Sequence, residues 1–406
     1  MKFGTAYFYH PQEAAYSGPT LTKDLGASFM QIDFADICMW AYVMRNKGAY
    51  DWSVTDKAYD ECEKNGIEPV PTFGHHLAPP EWVPKGLLNN SMVSTPKYGK
   101  LYGKQYGRLT VPQKLFADFV TEFVKRYGER TRLYALSHEW NLEFSFYTKE
   151  GTPEYDVYVD NQVGCTLLAY NIIKRADPKA KLTYALLNQY IRDSVGGKQL
   201  TPLDYQADRN PFGPSYMIKK FVETGNKEFI DLLKTIYFFH LGYTYNPVGR
   251  DPICIDSLAG DAAEELYKRS VTVDDKVYRY KDYIKEVIVN FMTISGKWGV
   301  NKEKAYSQEE QAGLVKDSME NVLAAASRRV PITSIVHALT DKNEDWGPTV
   351  ADHWQRYLFV PEGLYQMVEW KDPLAQQPTM RQVTFKPKKA AKVFKEYAAK
   401  YGSKGA

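Results

Sequence analysis

Cysteine is scarce. The 406-residue chain holds four, Cys38, Cys62, Cys165 and Cys254, widely spaced and without a Cys-x-x-Cys pair, which excludes a zinc ribbon and a disulfide-dense scaffold. An excess of one charge is also missing. The 52 Lys and Arg and 49 Asp and Glu are interleaved and leave a net charge of +3, so there is no electrostatic footprint for nucleic acid or an anionic membrane. Only Lys386 to Lys400 is locally basic, and its helical spacing reads as a solvated helix face. No apolar run reaches the length of a membrane span, and no signal-peptide core follows Met1-Lys2. The location is therefore open: cytoplasmic, or secreted or periplasmic if a signal has been trimmed. No glycine-rich phosphate loop follows a strand-like segment, which removes the usual reason to expect a doubly wound nucleotide-binding sheet.

What is present suits a soluble globular protein: 44% hydrophobic and 25% charged residues allow a substantial core. Aromatics reach 14%, with 31 Tyr and 8 Trp, and suit platforms that stack against the apolar faces of sugar rings. Short β-rich runs alternate with helical patterns, as in parallel βα units. Eight strands are expected, at Gly4–Tyr9, Phe29–Phe34, Glu68–Gly74, Leu133–His138, Lys181–Asn188, Lys234–Leu241, Val300–Tyr306 and Ile332–Thr340. Phe116, Phe119, Val120, Phe123, Val124 and Tyr127 form the stripe of an amphipathic helix that ends before Gly128. Ser307 and Glu310 make a capping box that opens another helix. Tyr283, Ile284, Val287, Ile288, Phe291 and Ile294 follow a helical period, which places the seventh strand after them. The last helix runs from Pro387 to Tyr401.

Eight such units close most simply as an α/β fold of the (β/α)8, or TIM barrel, type, in one catalytic domain spanning residues 1–406. Leu87–Thr110, Ile191–Pro214 and Tyr243–Tyr280 read as long loops after strands three, five and six, on the face where a barrel builds its site. Residues expected at the strand ends are strongly polar: His10, His75, His76, His138, Glu139, Asn141, Asn188, His240, Glu303, His337 and Asp341. Glu139 and Glu303, at the expected ends of strands four and seven, would face each other across the mouth. Opposed carboxylates are what glycoside cleavage requires: one protonates the leaving oxygen while the other attacks the anomeric carbon, with retention if they lie about 5–5.5 Å apart.

These residues resemble the clan A glycoside hydrolases, most closely the family 10 xylanases, with family 39 glycosidases also similar. The resemblance runs through Trp40, Lys47-Gly48-Ala49-Tyr50-Asp51-Trp52 and Asp56, then His76 to Trp82, Asp177 to Leu182, Asn188 and Tyr190. It continues through Phe239-His240-Leu241 to Leu339-Thr340-Asp341-Lys342 with Trp346. It implies that Glu139, within His138-Glu139-Trp140-Asn141, is the acid/base and that Glu303, after Lys302, is the nucleophile. It further implies sugar contacts from Trp40, His75, His76, Trp82, His138, Asn141, Asn188, Tyr190, His240, Lys302, His337 and Trp346, a carbohydrate substrate, and no cofactor or metal. Three departures rebuild the innermost subsite: His138 replaces an Asn, His337 a Trp, and Met39 a Lys. The expected substrate is thus a β-linked glycan, xylan-like but open to a charged or substituted sugar that the histidines and Lys302 contact.

Two other classes stay open. A metal-dependent barrel hydrolase would use the imidazoles as ligands, but no His-x-His or His-Glu-x-x-His occurs and the adjacent His75 and His76 would point to opposite faces of a strand. A carbohydrate-binding barrel that has lost catalysis would fit the altered subsite. Retention of Glu139 and Glu303 discriminates against it.

Overall fold

Barrel strands must be apolar on both faces, because helices cover one side and the barrel interior the other. The computed structural model describes residues 1–7, 18–32, 43–44, 48–73, 92–94, 96–102, 107–136, 153–188, 218, 221–240, 243–244, 254–255, 257–293, 295–298, 301–345, 357–360, 363–367 and 385–403. The barrel strands within them are β1 (Lys2–Tyr7), β2 (Phe29–Ile32), β3 (Glu68–Pro71), β4 (Leu133–Ala135), β5 (Lys181–Asn188), β6 (Thr235–His240), β7 (Glu286–Phe291) and β8 (Ile332–Ala338). Neighbours pair in parallel from β1 to β3 and from β4 to β8, and β8 returns to β1 in a register that sets Thr5 opposite His337. The remaining seam closes where the Phe73 amide donates to the Ala135 carbonyl at 2.7 Å. The expected (β/α)8 barrel, with its first and last strands adjacent, is the observed fold.

Among the described residues each strand is followed by a principal helix, α1 (Gly18–Asp24), α2 (Ser53–Asn65), α3 (Val111–Tyr127), α4 (Pro153–Ala176), α5 (Lys227–Leu232), α6 (Ala259–Lys268), α7 (Gln308–Ser327) and α8 (Lys389–Tyr401), with a further short helix, Pro96–Tyr102, between β3 and α3 and a single turn, Tyr280–Tyr283, between α6 and β7. Local signals set their ends. Gly66 takes the left-handed conformation, φ 69°, after α2, and the following amides return to the Cys62 and Glu63 carbonyls. At α7 the Ser307 hydroxyl accepts from the Glu310 amide while the Glu310 carboxylate accepts from the Ser307 amide, the capping box read from sequence. Trp52 stacks on Phe119 and meets Phe123 and Tyr127, and Asp56 takes hydrogen bonds from Arg126 and Tyr127. These contacts lock α2 to α3.

The buried apolar residues separate into two clusters divided by the barrel wall. Ala6, Phe29, Val70, Ala135, Ala185, Tyr237, Phe239, Ile288, Val336 and Ala338 fill the interior, with Met292 just beyond β7 and Tyr306 shortly before α7 in the same cluster. Their strand neighbours Phe3, Met30, Tyr134, Tyr184, Phe238, Val289, Phe291 and Ile335 belong to the outer cluster, with the helices. At the N-terminal end the first residues of four strands pair by charge, Lys2 with Glu68 at 3.4 Å and Lys181 with Glu286 at 3.1 Å.

The seventh strand corrects the sequence reading. It is Glu286–Phe291, not Val300–Tyr306. The helical period arose by running a single turn of helix, Tyr280–Tyr283, into a strand buried on both faces, whose continuous apolar run shows no alternation. Asn301–Tyr306 instead pairs antiparallel with Gly296–Trp298, in a hairpin that follows the C-terminal end of β7. Its sequence, Asn-Lys-Glu-Lys-Ala-Tyr, is too polar for a wall strand.

Further hairpins follow β3 (Met92–Ser94 with Arg108–Thr110), β6 (Tyr243–Thr244 with Cys254–Ile255) and β8 (Lys342–Asp345 with Tyr357–Val360, and Tyr365–Met367 with Phe385–Pro387). The expected loop Tyr243–Tyr280 is not one insertion, since it contains α6 and then a hairpin of Ser270–Val273 with Lys276–Arg279. That hairpin lies between α6 and β7, hence on the opposite face. Its turn residues Asp274 and Asp275 have φ of 49° and 61°, as a type I′ turn requires.

Candidate active site at the barrel mouth

Alternation along each strand decides which side chains reach the barrel interior. Gln31, Thr72, Thr183 and Asn290 share parity with Phe29, Val70, Ala185 and Ile288, so they bring polar groups into the barrel interior. Gln31 Nε2 donates to Thr72 Oγ1 at 3.2 Å, and Asn290 Nδ2 donates to the Tyr237 hydroxyl at 2.9 Å. Alanines from β1, β4, β5 and β8 face the same interior. Small side chains on four strands leave room that Tyr237, Phe239 and Met292 occupy from the β6–β7 side. The interior positions of β7 above the Glu286 charge pair are Ile288 and Asn290, with Met292 beyond, and none is acidic.

His337 does not line this mouth. It lies one position out of phase with Val336 and Ala338, is fully buried, and packs edge-on against Phe291 of the outer cluster. The expectation that it contacts the sugar is therefore corrected: the period of β8 turns it toward the helices. Its Nδ1 is 2.9 Å from the Ala338 carbonyl, which only accepts, so Nδ1 carries the proton. Nε2 then accepts from the Thr293 hydroxyl at 2.7 Å. Burial holds the imidazole neutral, lowering its pKa from 6.5 to about 4, with the nearby Lys388 acting in the same direction.

Gln311 continues this buried chain. Its Nε2 donates to Thr293 Oγ1 at 3.5 Å and to the Gly363 carbonyl at 3.2 Å. The Gly363 amide donates to Asp341 at 3.1 Å, and Asp341 pairs with the buried Lys388 just before α8. Burial pushes the Asp341 carboxyl from 3.8 up to about 6, against the lowering effects of Lys388 and the Gly363 amide. Gly363 is required by close approach, since a Cβ there would overlap the Thr340 backbone. Asp341 is thus a structural carboxylate behind the wall.

The other expected site residues are distributed as follows. Trp40, His75, His76, Trp82, His138, Glu139, Asn141, Tyr190 and Trp346, with His10, lie outside the described residues. Lys302 and Glu303 lie on the second strand of the hairpin after β7, not at the end of a wall strand. Asn188 ends β5 opposite His240 in register. His240 is buried at the end of β6, its ring stacked at 6.4 Å on Phe238 of the outer cluster. Among the described residues, no group of three or more His, Cys, Asp or Glu is arranged to hold a metal ion. The sequence reading missed Gln31, Thr72, Tyr237 and Asn290 inside the barrel and Thr293, Gln311 and Lys388 behind it. Polar residues within otherwise apolar strands, as at Gln31 and Asn290, were the available signal.

No protein-family model matches the sequence. Solved structures do match in fold. The β-glycosidase BGL167 is 15% identical with a TM-score of 0.59, over 98% of this chain and 88% of that one. A family 1 β-glucosidase from Thermotoga maritima is 13% identical with a TM-score of 0.61, over 95% and 86%. The β-glucosidase from Thermotoga maritima in complex with castanospermine is 12% identical with a TM-score of 0.62, over 100% and 98%. The chain shares their barrel architecture along nearly its whole length.

Proposed function

We propose that this chain is a retaining β-glycoside hydrolase acting on a β-linked oligo- or polysaccharide at the C-terminal mouth of the barrel. The observation that carries this reading is the closed barrel shared along nearly the whole chain with β-glycosidases; the reading assigns Glu139 and Glu303 as its two carboxylates. Glu139 stands four positions beyond Ala135, the interior-facing residue of β4, and Glu303 stands on the hairpin that leaves β7. In the first step Glu139 gives its proton to the leaving glycosidic oxygen as Glu303 attacks the anomeric carbon, forming a glycosyl ester. Glu139 then takes a proton from water, whose oxygen displaces Glu303 and restores the starting configuration.

His75, His76, His138 and Lys302 make the finer proposal, a substituted or acidic xylan-like glycan, because each offers donors to acceptor oxygens. Trp40, Trp82 and Trp346 would supply stacking faces, and Asn141, Asn188 and Tyr190 polar contacts to the ring hydroxyls. Assay of the purified chain against aryl β-glycosides and a polysaccharide panel tests the reading. Glu303→Ala should abolish turnover, whereas Glu139→Ala should keep activity on aryl glycosides with good leaving groups, which need little protonation. NMR of the first product should show the starting anomer; an inverted product overturns the mechanism.

A second reading, a sugar-binding barrel without catalysis, is favoured by one observation: no acidic side chain occupies an interior position of β7 above Glu286. Calorimetric binding of xylo-oligosaccharides without turnover of any aryl glycoside would select it.

A further inference from the structure

The chain leaves β7 at Phe291, forms the hairpin of Gly296–Trp298 with Asn301–Tyr306, and enters α7 at Gln308. The two ends of this excursion meet behind the wall. Thr293 precedes the hairpin and Gln311 lies in the first turn of α7, yet Gln311 Nε2 donates to Thr293 Oγ1, whose own proton goes to His337 Nε2. His337 is fixed in turn by its Nδ1–H on the Ala338 carbonyl and by Phe291 against its ring. Gln311 also holds the Gly363 carbonyl of the segment laid against the end of β8. Thr293, Gln311 and His337 are all buried, so water does not compete for these bonds.

Each donor in this relay has one direction. The Ala338 carbonyl sets the imidazole tautomer, the tautomer makes Nε2 an acceptor, and Nε2 orients the threonine hydroxyl. We infer that Gln311, Thr293 and His337 are positioning residues that clamp the root of the hairpin carrying Glu303, and so hold the attacking carboxylate in place. This rests on the proposed role of Glu303. A carboxylate at the end of a wall strand is held by the sheet ladder, whereas one on a hairpin outside the sheet depends on the hairpin's anchors, here the buried relay on one side and Tyr306, packed in the interior cluster, on the other. Nucleophilic attack tolerates little displacement, so loosening the root should lower turnover more than substrate affinity.

The test is Thr293→Val, which keeps the shape and removes the hydroxyl, beside Thr293→Ser, which restores it, and His337→Gln as an independent cut of the same relay. Backbone hydrogen exchange of residues 296–306 is followed in each purified protein, with kcat and KM on an aryl β-glycoside. The Val and Gln variants should exchange faster in 296–306 while the barrel strands keep their protection. Their kcat should fall about tenfold with KM changed less than about twofold, and Ser should recover most of the loss. Unchanged exchange in 296–306 overturns the clamp whatever happens to activity. Faster exchange with kcat unaltered overturns its link to the nucleophile. If wild type cleaves no glycoside, the functional reading fails by itself, and the exchange measurement still decides whether the relay anchors the hairpin.

Discussion

His337 and Asp341 make opposite contributions to the pH dependence of stability, and the relation can be dissected by substitution. In the folded protein the imidazole titrates near 4 instead of 6.5. The unfolded chain therefore binds more protons between these values, and the stability present above pH 6.5 is lost as pH falls through about 4. Asp341 titrates near 6 instead of 3.8. Here the folded chain binds the extra proton, so stability present below 3.8 is lost as pH rises through about 6. At about 1.4 kcal/mol per pH unit, each window amounts to about 3 kcal/mol. The two slopes nearly cancel between pH 4 and 6 in the wild type. His337→Gln removes the first, so relative to wild type it should lose about 3 kcal/mol as pH rises from 4 to 6.5. Asp341→Asn removes the second and should gain about 3 kcal/mol relative to wild type from pH 4 to 6. The latter change is superposed on a cost of about 3–5 kcal/mol from leaving Lys388 buried without its partner. Urea unfolding at half-unit pH steps measures both difference curves, and the subtraction removes the surface carboxylates common to all three proteins. Difference curves flat to within about 1 kcal/mol, or sloping with the same sign, would refute the assignment of these protonation states.

Three other substitutions test the scaffold. Ser307→Ala removes the acceptor half of the α7 capping box and should cost about 1 kcal/mol in urea unfolding. Gly363→Ala places a Cβ into the Thr340 backbone and should lower the thermal midpoint sharply, by several degrees for each kcal/mol lost; an unchanged midpoint would mean that the segment does not lie against β8. Asp56→Asn weakens the half-exposed Arg126 pair and the part-buried hydrogen bond from Tyr127, and should cost about 1 kcal/mol at low salt and less at high salt, with kcat unaffected.

The barrel was legible because its signals are local. Alternation of short apolar runs with amphipathic stripes located seven of the eight wall strands, and the Ser307 box and the stripe from Phe116 to Tyr127 located helices. The failure at β7 has a physical cause: a strand buried on both faces has no polar phase, so its apolar run fits any period, and length alone separates it from helix. Val287-Ile288-Val289 is β-branched throughout, which was the residual signal for a strand. The misplacement of His337 differs in kind. Sequence located it correctly in strand eight but could not choose its face, since a one-residue change of phase exchanges interior for exterior. Its partners Thr293, Gln311 and Lys388 come from distant segments, and no local pattern announces them.

The two carboxylates proposed for catalysis leave the barrel wall in different ways. Glu139 lies outside the described residues, four positions beyond Ala135 of β4, a strand tied on one side to β5 and on the other to Phe73. Glu303 belongs to a hairpin that pairs only with itself within the described residues. Hydrolysis by double displacement requires these groups about 5–5.5 Å apart, so the burden of holding that separation falls on whatever fixes the hairpin root. A polar, buried clamp suits that role, because a buried hydrogen bond left half-made costs about 1–3 kcal/mol, which disfavours alternative arrangements of the hairpin. Tyr306 adds an apolar anchor at the other end of the hairpin, and such a contact alone would hold the segment with less directional choice than the relay does.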